Sequence, residues 1–423
     1  MITDLEPHRH EQKDERGSSD VSSSDRLQLV PLSTQKEGDS WLVGSVELNC
    51  FFQMPDIAVQ IIRLLQQGLL LSEVKAHLQA AGDGDFDLDD FAATLIEIGL
   101  AYRGDSPART APPVAPSARW LASAAKVGQV IFSWPGACLY LLVIGYAALC
   151  AVRAPRILPP LHVFYFPGHL TASLLLLLVF YFVMVMLHEM GHMLAAARVG
   201  IDSHLGVGTR LWTIVMEADL TGVLSLPRRQ RYLPLLAGLV VDVLNVSILL
   251  IAVSHLMAVH ASPFLIQLLQ ALTMQILLSM SWQGNVFLRT DLYYVLCNAL
   301  AYPDLDRDAR LYFRSLLFMV SGGRLGVDLP EGQRPWRIAI LRLFSIVWFV
   351  GRVGSLYLLF AAAGPTLLRY AVDDYHALTT ASAAALPWDY IIFTVLSASM
   401  LAAGIWMWLA QMKSRKLTLA GQQ

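Results

Sequence analysis

The sequence predicts an all-α polytopic membrane protein of about six transmembrane helices, preceded by a small α+β domain. Three observations predict it. Hydrophobic residues make up 55% of the 423 and charged residues 15%, with a mean hydropathy of +0.51; a soluble fold of this size does not hide that much apolar surface. Six stretches, near 131–152, 170–197, 232–258, 263–283, 338–363 and 388–411, are long enough for a hydrocarbon core that needs roughly 20 residues. Ahead of them, residues 27–103 change to short β-type runs followed by helix-period segments.

Residues 1–26 are polar and charged and lack the apolar run of a signal peptide, so a disordered cytoplasmic tail is expected. In 27–103, Trp41–Ser45 and Val46–Phe52 read as strands. Helical periodicity follows near 56–67, 71–81 and 87–99, with Asp56 and Asp87 as N-cap or first-turn residues. A closing strand is expected at Leu100–Tyr102, and the whole resembles a winged-helix unit. Residues 104–118, rich in Pro and Ala, read as a linker to the membrane domain, 119–423.

Charge sets the expected orientation. Arginines crowd 198–231 (Arg198, Arg210, Arg228, Arg229, Arg231), seven lie in 284–337, and Lys413, Arg415 and Lys416 mark the tail. The opposite loops carry Arg153, Arg156 and Arg369. The positive-inside rule then puts both termini in the cytoplasm. A net charge of −2 gives no sign of nucleic-acid binding. Four cysteines without a CxxC pair argue against a thiolate metal site and against a disulfide framework.

Chemistry concentrates in the second span. Its apolar run ends in His188-Glu189-Met190-Gly191-His192. Positions i and i+4 share a helix face, so both imidazoles can point at one Zn²⁺, with Glu189 beside them to deprotonate a water. HExxH alone is a weak signal, and two histidines bonded to backbone carbonyls would be its bland explanation. Ionisable groups at membrane depth, however, usually mark function. Gly191 and Ala195–Ala197 allow close approach of another backbone, or are ordinary helix packing.

A catalytic zinc takes three protein ligands. The first choice for the third is Asp291, which opens a helical piece after a break at Gly284-Asn285; broken helices at membrane depth line cavities. Asp242, inside the third span, is the runner-up, and His204, Glu217 and Asp219 read as solvated or structural.

HEMGHMLAAARVG resembles the HExGH helix of site-2 protease-like zinc metallopeptidases, and NVFLRTDLYYVL at 285–296 is similar to their later Asn…Asp-Gly segment. Ala237-Gly238 is similar to the family's Ala-Gly-Pro segment. Leu292, Leu288 and Leu239 stand where the family carries Gly, often Pro, and Pro. The resemblance covers roughly 170–300. It implies Asp291 as third ligand and Asn285 as the residue that holds the substrate carbonyl or oxyanion. Residues 27–103 resemble PqqD-like domains, which hold leader peptides during maturation of ribosomally made peptides; strand addition to a sheet edge would be the physical mode.

The expectation is therefore a zinc endopeptidase of a bacterial inner membrane that cleaves a precursor or membrane-embedded peptide, with a membrane transport protein as a possible partner. A non-hydrolytic, zinc-containing membrane protein that binds or exports a peptide is the competing reading. A metal transporter is a third, which gives no role to Glu189.

Overall fold

The computed structural model describes residues 26–38, 40–82, 86–103, 118–160, 162–166, 168–210, 213–303, 305–320, 335–358 and 388–420, with a few positions between 368 and 379. The expected tail and linker lie almost wholly outside these residues, as does 359–363 of the fifth expected span. The chain divides into two compact units. One comprises residues 1–126 with Ala196–Ser203 and Asp219–Pro234; the other comprises Val127–Ala195, His204–Ala218 and Leu235–Gln423.

The first unit is built on strands β1 (Leu27–Leu29), β2 (Ser33–Glu37), β3 (Ser40–Ser45) and β4 (Cys50–Met54), helices α1 (Asp56–Gln66), α2 (Leu71–Ala81) and α3 (Leu88–Glu97), and strand β5 (Ala101–Arg103). All pairings are antiparallel: β1 with β5, and β2-β3-β4 in order. The three expected helices and the closing strand are present. The second expected strand is shifted: residues 46–49 form a turn with Asn49 at φ +52, and pairing starts at Cys50. β1, only three residues long, and β2, which is polar throughout, were not expected. Asp87 caps α3 by accepting the Asp90 N–H at 3.0 Å, whereas Asp56 is the first residue of α1 behind Pro55. Val59, Ile61, Ile62, Val74, Leu95 and Leu100 fill the core; full burial of such a side chain contributes about 1.5–3 kcal/mol.

The segment 219–231 belongs to this unit and lies against one face of β2-β3-β4. The Ser33 hydroxyl and the Gln35 amide both donate to the Ser225 carbonyl, at 3.3 and 2.9 Å. Arg231 pairs with Glu37, both side chains almost fully buried, and the Asn49 amide donates to Asp219. Breaking a buried ion pair leaves an uncompensated charge, typically at a cost of about 3–5 kcal/mol. Arg231→Ala is therefore expected to lower the thermal unfolding transition of the full chain by that order, and Glu37→Gln with Arg231→Met together by clearly less. Equal losses for the single and the double variant would show that the pair is not stabilised by mutual charge. At Asp219, burial disfavours the charge, but the N–H and hydroxyl of Thr221 and the Asn49 amide outweigh it and hold the carboxyl below its ordinary pKa. With the folded pKa depressed, that stabilisation is present above the ordinary carboxylate pKa. It is lost as pH falls through the depressed value.

The second unit is helical apart from one hairpin. Four of its helices are long and apolar enough to cross a membrane: α5 (Trp134–Arg153), α6 (Leu170–Arg198), α7 (Arg228–Ala258) and α8 (Pro263–Gln283), with α6 and α7 continuing into the first unit. A further helix, α4 (Ala118–Ile131), precedes them. The expected fifth and sixth spans are helical as α11 (Pro335–Leu358) and α12 (Trp388–Ala420), but the count of about six is not reached among the described residues. α11 carries Arg337, Arg342 and Arg352 spread along its length. Between α6 and α7, where a solvated loop was expected, β6 (Leu205–Arg210) and β7 (Thr213–Ala218) form an antiparallel hairpin.

The break expected after the fourth span is present. α8 stops at Gln283, Val286–Leu288 makes one 3₁₀ turn, Arg289 adopts φ +54, and α9 (Asp291–Leu300) begins. α10 (Leu305–Val320) and α11 close over α9, with Tyr293, Cys297, Tyr302, Leu305, Leu341 and Phe344 packed together. That packing fixes the first turn of α9, and with it Asp291.

Candidate metal centre

α6 is 29 residues long, about 44 Å at helical rise. His188 and His192 lie one turn apart near its C-terminal end, both buried. Their Nε2 atoms are 3.1 Å apart. Asp291, more than a hundred residues later, puts Oδ2 3.0 Å from His188 Nε2 and 3.5 Å from His192 Nε2. Among the described residues, these three form a group that can hold a metal ion.

The donor set fits such an ion. Ligand atoms about 2.0–2.2 Å from a tetrahedral centre are about 3.3–3.6 Å from one another, and the observed triangle is within a few tenths of that. The tautomers point the same way. His188 Nδ1 is 2.9 Å from Asp242 Oδ2, and Asp242 is buried. A neutral His188 spends its one N–H on that carboxylate, so Nε2 faces Asp291 with a lone pair. A proton can serve one edge of the triangle; a metal ion serves all three donors.

Asp242 is thus the partner of a donor and not the third donor itself, the place the sequence reading held for it as runner-up. An imidazole that ligates a metal usually gives its other N–H to a carboxylate or a carbonyl, which fixes ring and tautomer. Gln283, the last residue of α8 and also buried, donates its amide toward the same Asp242 oxygen at 3.4 Å. Its main-chain carbonyl accepts the Thr290 hydroxyl at 2.6 Å. One residue therefore touches both Asp242 and the neighbour of Asp291, across the helix break. The signal for it in the sequence was a polar side chain immediately ahead of Gly284.

Two glycines let the helices approach. A Cβ on Gly191 would lie 2.8 Å from Val241 and 3.1 Å from the Ala237 carbonyl. A Cβ on Gly238 would overlap the Nε2 atoms of both His188 and His192. Gly238 and Asp242 share one face of α7, four residues apart, so one helix face both makes room for the imidazoles and orients one of them. Gly238→Ala is expected to cost at least about tenfold in metal affinity, the lower end of what displaced ligand geometry costs, measured by competition with a chromophoric chelator. Unchanged affinity would mean that α7 does not shape the centre.

Glu189 follows His188 on α6. Its Oε2 accepts the N–H of Ala218, the last residue of β7, at 2.7 Å. The hairpin that the sequence did not reveal therefore holds the carboxylate. Asn285 sits half-buried at the start of the 3₁₀ turn; its carbonyl accepts the Leu288 N–H at 2.8 Å, and its side-chain amide makes no hydrogen bond among the described residues. It is on the same broken segment as Asp291 but is not drawn into the triangle. His204, Glu217 and Asp219 are not part of the metal-type group.

No family model, no curated protein and no solved structure matches this chain.

Proposed function

We propose that this chain is an intramembrane zinc metallopeptidase that cleaves a precursor peptide or a membrane-embedded peptide. The observation that carries the reading is the convergence of His188, His192 and Asp291 at 3.0–3.5 Å, with Glu189 adjacent, on helices built from apolar sequence. Two imidazoles and a carboxylate suit zinc, and three protein donors leave a position open, as catalytic sites do. Bound there, zinc would supply Lewis acidity and bring the pKa of a water molecule toward neutrality.

The protein's own groups divide the remaining work. Asp242 holds His188 with Nε2 turned inward. Ala218 N–H occupies one oxygen of Glu189, which leaves the other to take a proton from the attacking water and return it to the leaving amine. Asn285, from its place beside the break, donates to the negative charge that grows on the carbonyl oxygen. A helical substrate must unwind first, since a helix engages its own peptide groups.

The N-terminal domain has the part of a peptide holder in this reading. Its outer strands β2 and β4 each pair only with β3 among the described residues, so an extended peptide has an edge to join. The arginine distribution supports cytoplasmic termini in a bacterial inner membrane, with a transport protein as a possible partner.

The test is cleavage of a precursor peptide encoded beside the gene, by purified protein in detergent, before and after treatment with 1,10-phenanthroline. Loss of cleavage on chelation and its return with stoichiometric Zn²⁺ is the expected result. Cleavage that persists after the metal has been shown to be gone would end the metallopeptidase reading.

A further inference from the structure

Beside the broken segment that carries Asp291, two arginines pair with one carboxylate and a third lies over the indole that donates to it. Asp306, at the start of α10 and buried, takes Arg289 Nε at 2.9 Å and Arg310 Nη2 at 3.2 Å, both on Oδ2. Its Oδ1 accepts Trp348 Nε1 at 3.0 Å. Arg352, one turn further along α11, lies with its guanidinium carbon 4.4 Å from the Trp348 ring centroid. Among the described residues, the buried Nε atoms of Arg310 and Arg352 have no acceptor, as is also true of Arg337, whose guanidinium instead donates from Nη2 to the Ala301 carbonyl. The nearby Asp308 is engaged by the Tyr302 hydroxyl at 2.7 Å.

Among the described residues, Asp306 pairs with two guanidinium groups while a third, that of Arg352, lies over the indole that donates to it, and both carboxylate oxygens are engaged. Like charges partly withdrawn from water are unfavourable unless an anion joins them. The backbone is arranged to bring them together: Arg289 sits at φ +54, a region a long L side chain rarely adopts. Gly351 carries no Cβ where one would overlap the Phe287 ring.

We propose that Arg289, Arg310 and Arg352 form a binding site for a phosphate group, supplied by the headgroup of an anionic phospholipid. Guanidinium forks arriving from three directions suit a tetrahedral oxyanion with several acceptors better than a planar carboxylate. The lipid source follows from the neighbourhood. Arg352 continues the inward face of α11 that carries Leu341, Phe344, Ser345 and Trp348, while Leu343, Ile346, Val350 and Val353 form an exposed apolar stripe along its flank. A headgroup on the arginines would let acyl chains cover that stripe. The site does not depend on the peptidase reading.

The experiment uses the full chain in non-ionic detergent with three probes: phosphatidylglycerol, the phosphate-free lipid monogalactosyl diacylglycerol, and inorganic phosphate. Native mass spectrometry reads retained lipid, and thermal unfolding reads inorganic phosphate. Wild type retains phosphatidylglycerol under conditions that strip the galactolipid. Arg310→Gln and Arg352→Gln each weaken retention by about tenfold or more, the scale of one lost charged hydrogen bond. Arg337→Gln, on the same helix but stacked on Tyr302 and Trp336, leaves it unchanged. If Arg352→Gln does not fold, Arg352→Lys, which keeps the charge without the fork, is read in its place and also weakens retention. Stabilisation of wild type but not of the variants by inorganic phosphate, with no lipid retained, keeps the phosphate site and assigns it to a free anion. Equal retention of phosphatidylglycerol by wild type and both variants, or equal retention of the galactolipid, overturns the proposal and leaves an ion cluster with a structural role only.

Discussion

Glu189→Gln is expected to abolish peptide cleavage, by about 10²–10⁴-fold, the usual contribution of a positioned general base, while bound zinc stays at the wild-type level. Glutamine keeps the shape of the side chain and an oxygen for the Ala218 N–H, a contact of 2.7 Å in the wild type, so the β7–α6 connection survives. It has no carboxylate to accept a proton, so the one function removed is the one proposed. His188 bonds to Asp242, to Asp291 and to His192, and the substitution leaves those three groups in place. The competing class, a membrane protein that binds or exports a peptide around a structural zinc, predicts no change in function on this substitution. Zinc analysis by itself separates nothing here. Loss of zinc in Glu189→Gln would make Glu189 part of the metal shell and would withdraw its assignment as base.

The parts of this molecule that could be read from the chain are those that one short stretch encodes. The motif helix is one, because i and i+4 spacing fixes the face of His188 and His192. The break at Gly284 is another, because Gly and Asn interrupt an apolar period. The three helices of 56–97 follow from their periodicity and from Asp87. What could not be read depends on partners distant in sequence. Asp242 looks like a ligand when met alone in an apolar span; only the side of the ring it reaches, Nδ1 and not Nε2, makes it an orienting group. The 205–218 hairpin has glycines and two charged residues in its strands and so resembles a loop, yet its last N–H holds Glu189. Glu37 and Arg231 are ordinary surface residues by type, 194 positions apart, and their burial against each other appears only in the fold.

Asp291→Ala should remove the metal. The triangle of donors then keeps only His188 Nε2 and His192 Nε2, 3.1 Å apart, and two neutral imidazoles on one helix hold a divalent ion far more weakly than two imidazoles and a carboxylate. Replacing a residue that merely supports a ligand costs about 10–100-fold in affinity, so direct loss of a donor should exceed about 100-fold. Asp242→Ala supplies the contrast: its loss should fall inside the 10–100-fold range, because His188 keeps its place on α6 but loses the acceptor at Nδ1. The order of the two effects carries the assignment. Metal competition assays on wild type, Asp291→Ala and Asp242→Ala, with far-ultraviolet circular dichroism to show that each variant is folded, measure it. Should Asp242→Ala cost more than Asp291→Ala, the carboxylates exchange roles, and the centre is organised around α7 in place of the broken segment that leads into α9. Asp291→Asn adds a second axis: the amide keeps one oxygen donor but no charge, so its loss should lie between those of Asp242→Ala and Asp291→Ala if charge as well as geometry holds the ion.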